Sequence, residues 1–213
     1  MKIIGINASP RKGWNTDLMV NEALKGAASK GAETEMVQLF DLRFRGCISC
    51  FGCKKIDGSG VGRCVCSDEL LPVLDKIHHC DGLVLGSPIY IGDVTSSMRA
   101  LIERLTFQYI PYEAKTTYFD RRIPVLSIYT MGCSEEAMKT HGFAAMFTLA
   151  DERYNRLFGG PAKSMTVNET HQVEDYSKYA MSRLDIAGRN KRREEVFPKD
   201  LKKAFDMGAD LIA

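Results

Sequence analysis

Several signatures that would fix a function outright are missing from this sequence of 213 residues. It has no G-x-G-x-x-G turn for a dinucleotide, no G-x-x-x-x-G-K-[ST] loop, no H-E-x-x-H pair and no Ser/His/Asp set in a recognisable context. No cysteine precedes Cys47. That excludes a phosphatase whose nucleophilic thiol opens the first phosphate loop, where this chain has Ser9. An excess of one charge is also lacking: 29 Lys and Arg against 27 Asp and Glu leave +2. No basic stripe follows a phosphate backbone, so nucleic acid is not expected as a partner. No long charge-free run suggests a membrane segment, and the apolar start Met1 to Ile6 ends at Asn7 and Ser9, short of a secretory leader. A cytoplasmic protein is expected.

With 45% hydrophobic and 26% charged residues, the composition suits one domain over 1–213. Lys2–Ile6 is a β-rich apolar run closed by turn-formers, and Leu18, Met19, Ala23, Leu24 and Ala27 follow at helical spacing. Further strands are predicted over Glu33–Leu39, Gly82–Gly86, Ile123–Tyr129 and Ala162–Val167. The intervening helices are predicted over Asp68–His79, Thr95–Phe107, Glu135–Leu157 and Pro198–Ile212. Strands alternating with helices give an α/β fold: a doubly wound, five-stranded parallel sheet in the order 2-1-3-4-5, helices on both faces, its ligand crevice at the carboxyl ends of the strands. Two segments exceed this scaffold as long loops, Leu42–Ser67 and Phe107–Arg122. The polar stretch of about 168–197 reads as a solvated or dimer-facing arm.

Three loops at the strand ends carry chemistry. After the first strand, Ser9, Arg11, Asn15 and Thr16 supply hydroxyl, amide and guanidinium donors at a helix N-terminus, which makes an anion cradle. After the third, Gly86-Ser87-Pro88-Ile89-Tyr90-Ile91-Gly92 can hold backbone against the edge of a flat heteroaromatic ring, with Tyr90 offering an aromatic face. After the fourth, Tyr129-Thr130-Met131-Gly132-Cys133 closes the same crevice. His141 and His171 read as surface or structural, and Cys80 as a core cysteine.

Together with Met98-Arg99-Ala100-Leu101-Ile102-Glu103-Arg104, these loops make the chain resemble flavodoxin-like NAD(P)H-dependent FMN reductases, and more narrowly their iron–sulfur flavoprotein branch. The resemblance covers about residues 1–135. It implies FMN, with Ser9, Arg11, Asn15 and Thr16 at its phosphate. Pro88, Ile89, Tyr90, Ile91 and Gly92 would meet the ring, and Thr130, Met131, Gly132 and Cys133 the ribityl chain or ring edge. It implies an oxidoreductase whose chemistry belongs to the flavin, without catalytic side chains. NAD(P)H, or a reduced protein such as ferredoxin, would give electrons to a small acceptor such as a quinone, nitro compound or flavin. A flavin electron carrier or redox sensor without turnover is the non-enzymatic alternative. A homodimer or homotetramer with cofactor sites near the subunit interfaces is also implied.

Five of the seven cysteines bunch between Cys47 and Cys66. Cys47, Cys50 and Cys53 form a C-x-x-C-x-x-C run that could hold an iron–sulfur cluster with Cys64, or with Cys66 as the alternative fourth ligand. Ten residues separate Cys53 from Cys64, more than in cluster-bearing members of the branch, although Gly58, Gly60 and Gly62 could let the loop return. A cluster, a zinc site and a set of free or redox-active thiols remain three open readings.

Overall fold

The computed structural model describes residues 1–57 and 60–212. Of the loop glycines named above, Gly58 lies outside the described residues. The chain runs β1 (Lys2–Asn7), α1 (Asn15–Ser29), β2 (Glu33–Gln38), α2 (Leu71–His79), β3 (Gly82–Tyr90), β4 (Asp93–Val94), α3 (Ser96–Phe107) and β5 (Ile123–Thr130). It continues with α4 (Glu135–Thr140), α5 (Phe143–Phe158), β6 (Gly159–Val167), α6 (Ile186–Glu195) and α7 (Phe197–Ala209). Five parallel strands lie in the order β2-β1-β3-β5-β6, and β4 forms a two-residue antiparallel ribbon with β3. With that ribbon set aside, the order is the expected 2-1-3-4-5.

Alternation along the strands divides the core in two. Ile4, Ile6, Leu83, Leu85 and Val125 face α2, α3 and α5. Ile3, Val84, Leu126 and Ile128 face α1 and α7. The fully buried side chains of Met19, Val20 and Ala23 carry the inner face of α1, each larger one worth roughly 1.5–3 kcal/mol of burial. Helices α1 and α7 cross closely because both contribute a glycine at the contact. A Cβ on Gly26 would collide with the Phe205 carbonyl, and one on Gly208 with that of Ala23.

Two expectations change. The single helix Glu135–Leu157 is divided into α4 and α5 at His141–Gly142, where Gly142 takes φ +76 and caps the second helix from the left-handed region. The arm 168–197 is largely exposed, as its polarity predicts, but it also contains α6, buries Thr170, Tyr176, Arg189 and Phe197, and folds back over the carboxyl end of the sheet. Among the described residues, no helix is long and apolar enough to cross a membrane.

Candidate functional site

The carboxyl ends of β1, β3 and β5 come level, as the pairs Asn7↔Gly86 and Pro88↔Thr130 show. The loops leaving them therefore open onto one place. Asn7 organises the first: its side-chain amide donates to Asp17 (2.8 Å) and Gln38 (2.6 Å), and its Oδ1 accepts from the Ser9 N–H (3.0 Å). Asp17 in turn accepts from the Gly13 N–H at 2.9 Å, and Ser9 Oγ from the Arg11 N–H at 3.1 Å. The loop is thus closed around buried polar groups before it enters α1. Trp14 occupies the cap position of that helix and contributes no side-chain cap, so the first-turn amides of a 15-residue helix keep their donors for a ligand. Thr16 Oγ1 and Thr130 Oγ1 meet at 2.8 Å and tie the helix to β5.

The second loop is a tight hairpin in which Tyr90 pairs with Asp93. Ile91 and Gly92 both have positive φ, +51 and +82, the geometry of a type I′ turn. Ile91 is wholly exposed and Tyr90 is 48% exposed. Thr95 anchors the loop, its N–H donating to Ser87 Oγ (3.1 Å) and its hydroxyl to the Ala8 carbonyl (2.9 Å). The Asp93–Arg99 ion pair braces it from α3. The third loop is sewn to the chain beyond β6: Met131 N–H donates to Val167 O (2.9 Å) and Thr170 N–H to Met131 O (3.0 Å).

Between these loops lies a cleft of about 250 Å³ lined by Ser9, Arg11, Asn15, Thr16, Pro88, Ile89, Tyr90, Thr130, Met131 and Gly132. Ten of the residues expected from sequence at a flavin site are therefore brought together. Ile91 and Gly92, at the tip of the hairpin, are not in this lining, and neither is Cys133, which packs toward the core with its thiol pushed up by burial. Four lining residues escaped the sequence reading: Trp14, Thr170, His171 and Gln172. Trp14 had a local signal, because Arg11 stands three residues before it and its guanidinium lies 3.3 Å from the ring centroid. The other three come from the arm, and nothing in their polar spacing points to burial. His171 is a wall of the cleft, and burial holds its imidazole below the ordinary value.

The arm also redirects two of the cradle residues. Asn15 donates to the His171 carbonyl (2.7 Å) and accepts from Arg193 (3.1 Å), while Arg11 donates to the Gln172 carbonyl. Among the described residues, no carboxylate lines the cleft. Hydroxyls, open amides and one guanidinium without acids suit a phosphate group, and the apolar Pro88, Ile89 and Met131 beside them suit a planar ring. The residues present therefore fit FMN.

The cysteine loop is pinned by its neighbours and, among the described residues, does not form a ligand cage. Lys54 Nζ donates to the carbonyls of Phe107 (2.6 Å), Gln108 (2.9 Å) and Ile110 (2.7 Å), satisfying the C-terminal end of α3. Buried Arg104 donates to Asp68 (2.5 Å), to Cys66 O (3.0 Å) and to Arg45 O (3.3 Å). Gln108 Oε1 accepts from the Cys64 N–H at 3.0 Å. Cys53 is buried, with its thiol pushed up by that burial, whereas Cys50 is exposed. Among the described residues, no three Cys, His, Asp or Glu side chains converge as metal ligands. As held, Cys47, Cys50, Cys53 and Cys64, with Cys66, do not fit an iron–sulfur centre. Cys80 is a core cysteine as expected, raised to about 11 by burial.

A sequence model of the NADPH-dependent FMN reductases matches residues 1–141. An iron–sulfur flavoprotein of Methanocaldococcus jannaschii is 41% identical over 104 residues, 49% of this chain and 51% of that protein. One of Methanosarcina thermophila is 33% identical over 104 residues, 49% and 52% of the two. These matches thus span about half the length of the curated relatives. Among solved structures, an NAD(P)H:quinone oxidoreductase from Methanothermobacter marburgensis superposes with TM-score 0.71 at 16% identity, covering 99% of this chain and 98% of the other. An azoreductase from Bacillus anthracis gives 0.63 at 13% identity, covering 98% and 99%. A flavodoxin from the Archaea gives 0.51 at 15%, covering 100% and 96%. At these identities the structural likeness speaks for the fold.

Proposed function

The chain belongs to the NADPH-dependent FMN reductase family, and on that premise we propose that it binds FMN in the cleft between β1, β3 and β5 and passes electrons from NAD(P)H to a small acceptor such as a quinone, a nitro compound or a free flavin. The observation that carries the reading is the N-terminus of α1, without a side-chain cap and opening into a cleft whose lining holds hydroxyls and a guanidinium and, among the described residues, no acid. Ser9, Thr16 and the first-turn amides would hold the phosphate, with Arg11 beside them. Pro88, Ile89 and Met131 would exclude water from the ring, and half-exposed Tyr90 would stand where donor and acceptor reach it. FMN, when bound, supplies the two-electron chemistry. The protein then needs no acid–base pair, and the only titratable groups among the lining residues are Arg11, Tyr90 and His171.

The reading includes a homodimer or homotetramer, favoured by the exposed Ile91 and Tyr112. No electron step is assigned to the cysteine loop. The test is a visible spectrum of protein purified without oxygen, with assays of released FMN, iron and acid-labile sulfide. FMN that NADPH or NADH bleaches, and whose colour an acceptor restores, supports the enzyme. Flavin inert to both nicotinamides would favour a carrier fed by a reduced protein such as ferredoxin. About four irons per chain would reinstate a cluster, and absence of flavin after reconstitution would overturn the proposal.

A further inference from the structure

Arg99, Arg104, Arg121 and Arg192 each meet a carboxylate. Three other arginines, Arg11 in the lining and Arg189 and Arg193 behind it, donate to residues of the cleft wall, and among the described residues none of them meets a carboxylate. Arg11 lies on Trp14. Arg189, 7% exposed, spends its donors on two carbonyls of the cleft wall, Gly132 O at 2.6 Å and Thr170 O at 3.1 Å. Arg193 lies 4.0 Å over the Phe197 ring and donates to Asn15 Oδ1. Asn15 in turn donates from Nδ2 to His171 O. Arg189 is the buried one of the three, Arg11 and Arg193 being half-buried; a buried guanidinium without a counter-charge is costly, and with two more cations bonded to the same cleft wall it describes a site whose anion comes from outside the chain. Asp17 does not neutralise them, since its carboxylate is taken up by Asn7, Gln38 and the Gly13 amide. Glu169, Glu174, Glu194 and Glu195 are exposed.

We infer that Arg189 and Arg193 are positioning residues that make the cleft select a phosphorylated flavin, FMN, over unphosphorylated riboflavin. They lie beyond residue 141, where the family match ends, and act through the wall they hold: Arg193 sets Asn15 at the first turn of α1, and Arg189 sets Gly132 and Thr170. Their charge adds to that of the helix terminus and of Arg11. The inference rests on the proposed FMN site.

The experiment titrates the flavin-free full-length protein with FMN and with riboflavin by fluorescence quenching. Arg193→Gln is expected to weaken FMN on the order of tenfold while leaving riboflavin unchanged, and Arg193→Lys to recover most of the loss. Arg189→Gln should narrow the FMN preference similarly. Should it fail to fold, the half-buried Arg193 carries the test, with thermal melting as control. An FMN to riboflavin ratio unchanged in Arg193→Gln, or both ligands weakened equally, would overturn the inference. Failure of the parent to bind FMN would instead overturn the proposed function.

Discussion

Ile91 is a β-branched residue in the left-handed region with its side chain entirely in solvent. The strain is on the order of 1–3 kcal/mol, and among the described residues no packing within the chain offsets it. Ile91→Asn would give the Asn-Gly pair that this turn favours, and is expected to raise the unfolding free energy by about 1 kcal/mol in a denaturant titration. A loss of activity in the same variant would mark the isoleucine as an acceptor or subunit contact. At the cradle, Arg11→Ala with Thr16→Ala removes a charged donor and the hydroxyl that faces Thr130. FMN affinity is expected to fall on the order of a hundredfold, read by retention of flavin on desalting. Undiminished retention would remove the phosphate from this end of the cleft.

At the scale of elements, the cysteine loop is an appendage of α3. Arg104 is buried, with a side chain only 1% exposed against 16% for Asp68. Arg104→Leu leaves Asp68 without its cation and releases the carbonyls of Arg45 and Cys66. Its cost should be about 3 kcal/mol, and alkylation of Cys64 and Cys66 in the folded protein should quicken. Unchanged alkylation rates would mean that other anchors hold the loop. The strands and most helices were legible in the sequence because continuous apolar runs such as Gly82–Gly86 and the spacing of Met19, Ala23 and Ala27 express burial directly. Helix α6 was not, since its one buried residue, Arg189, is cationic and is satisfied by carbonyls remote in sequence. The same reasoning covers the site: Ser9, Thr16 and Thr130 sit where strands end, whereas His171 and Gln172 reach the cleft by a fold-back that no periodicity encodes.

For the molecule as a whole, His78 and His171 are both held below the ordinary imidazole value of 6.5, chiefly by burial. As pH falls past that value the unfolded chain takes up protons that the folded one resists. Unfolding free energy should therefore be level above about pH 7 and decline as the pH drops toward 5. Bound FMN should raise the melting temperature by mass action. A stability curve flat between pH 7 and 5 would show that both rings protonate in place. The cleft joins Ser9 and Thr16, near the start of the chain, to His171 and Gln172, more than 150 positions later. During synthesis at roughly 5–20 residues per second, the nascent β1 and α1 wait on the order of ten seconds or more for the last wall to leave the ribosome. On the proposed reading, cofactor loading would then be a late event, and a ribosome stalled before Asn168 would display the first loop without the wall that completes its cleft.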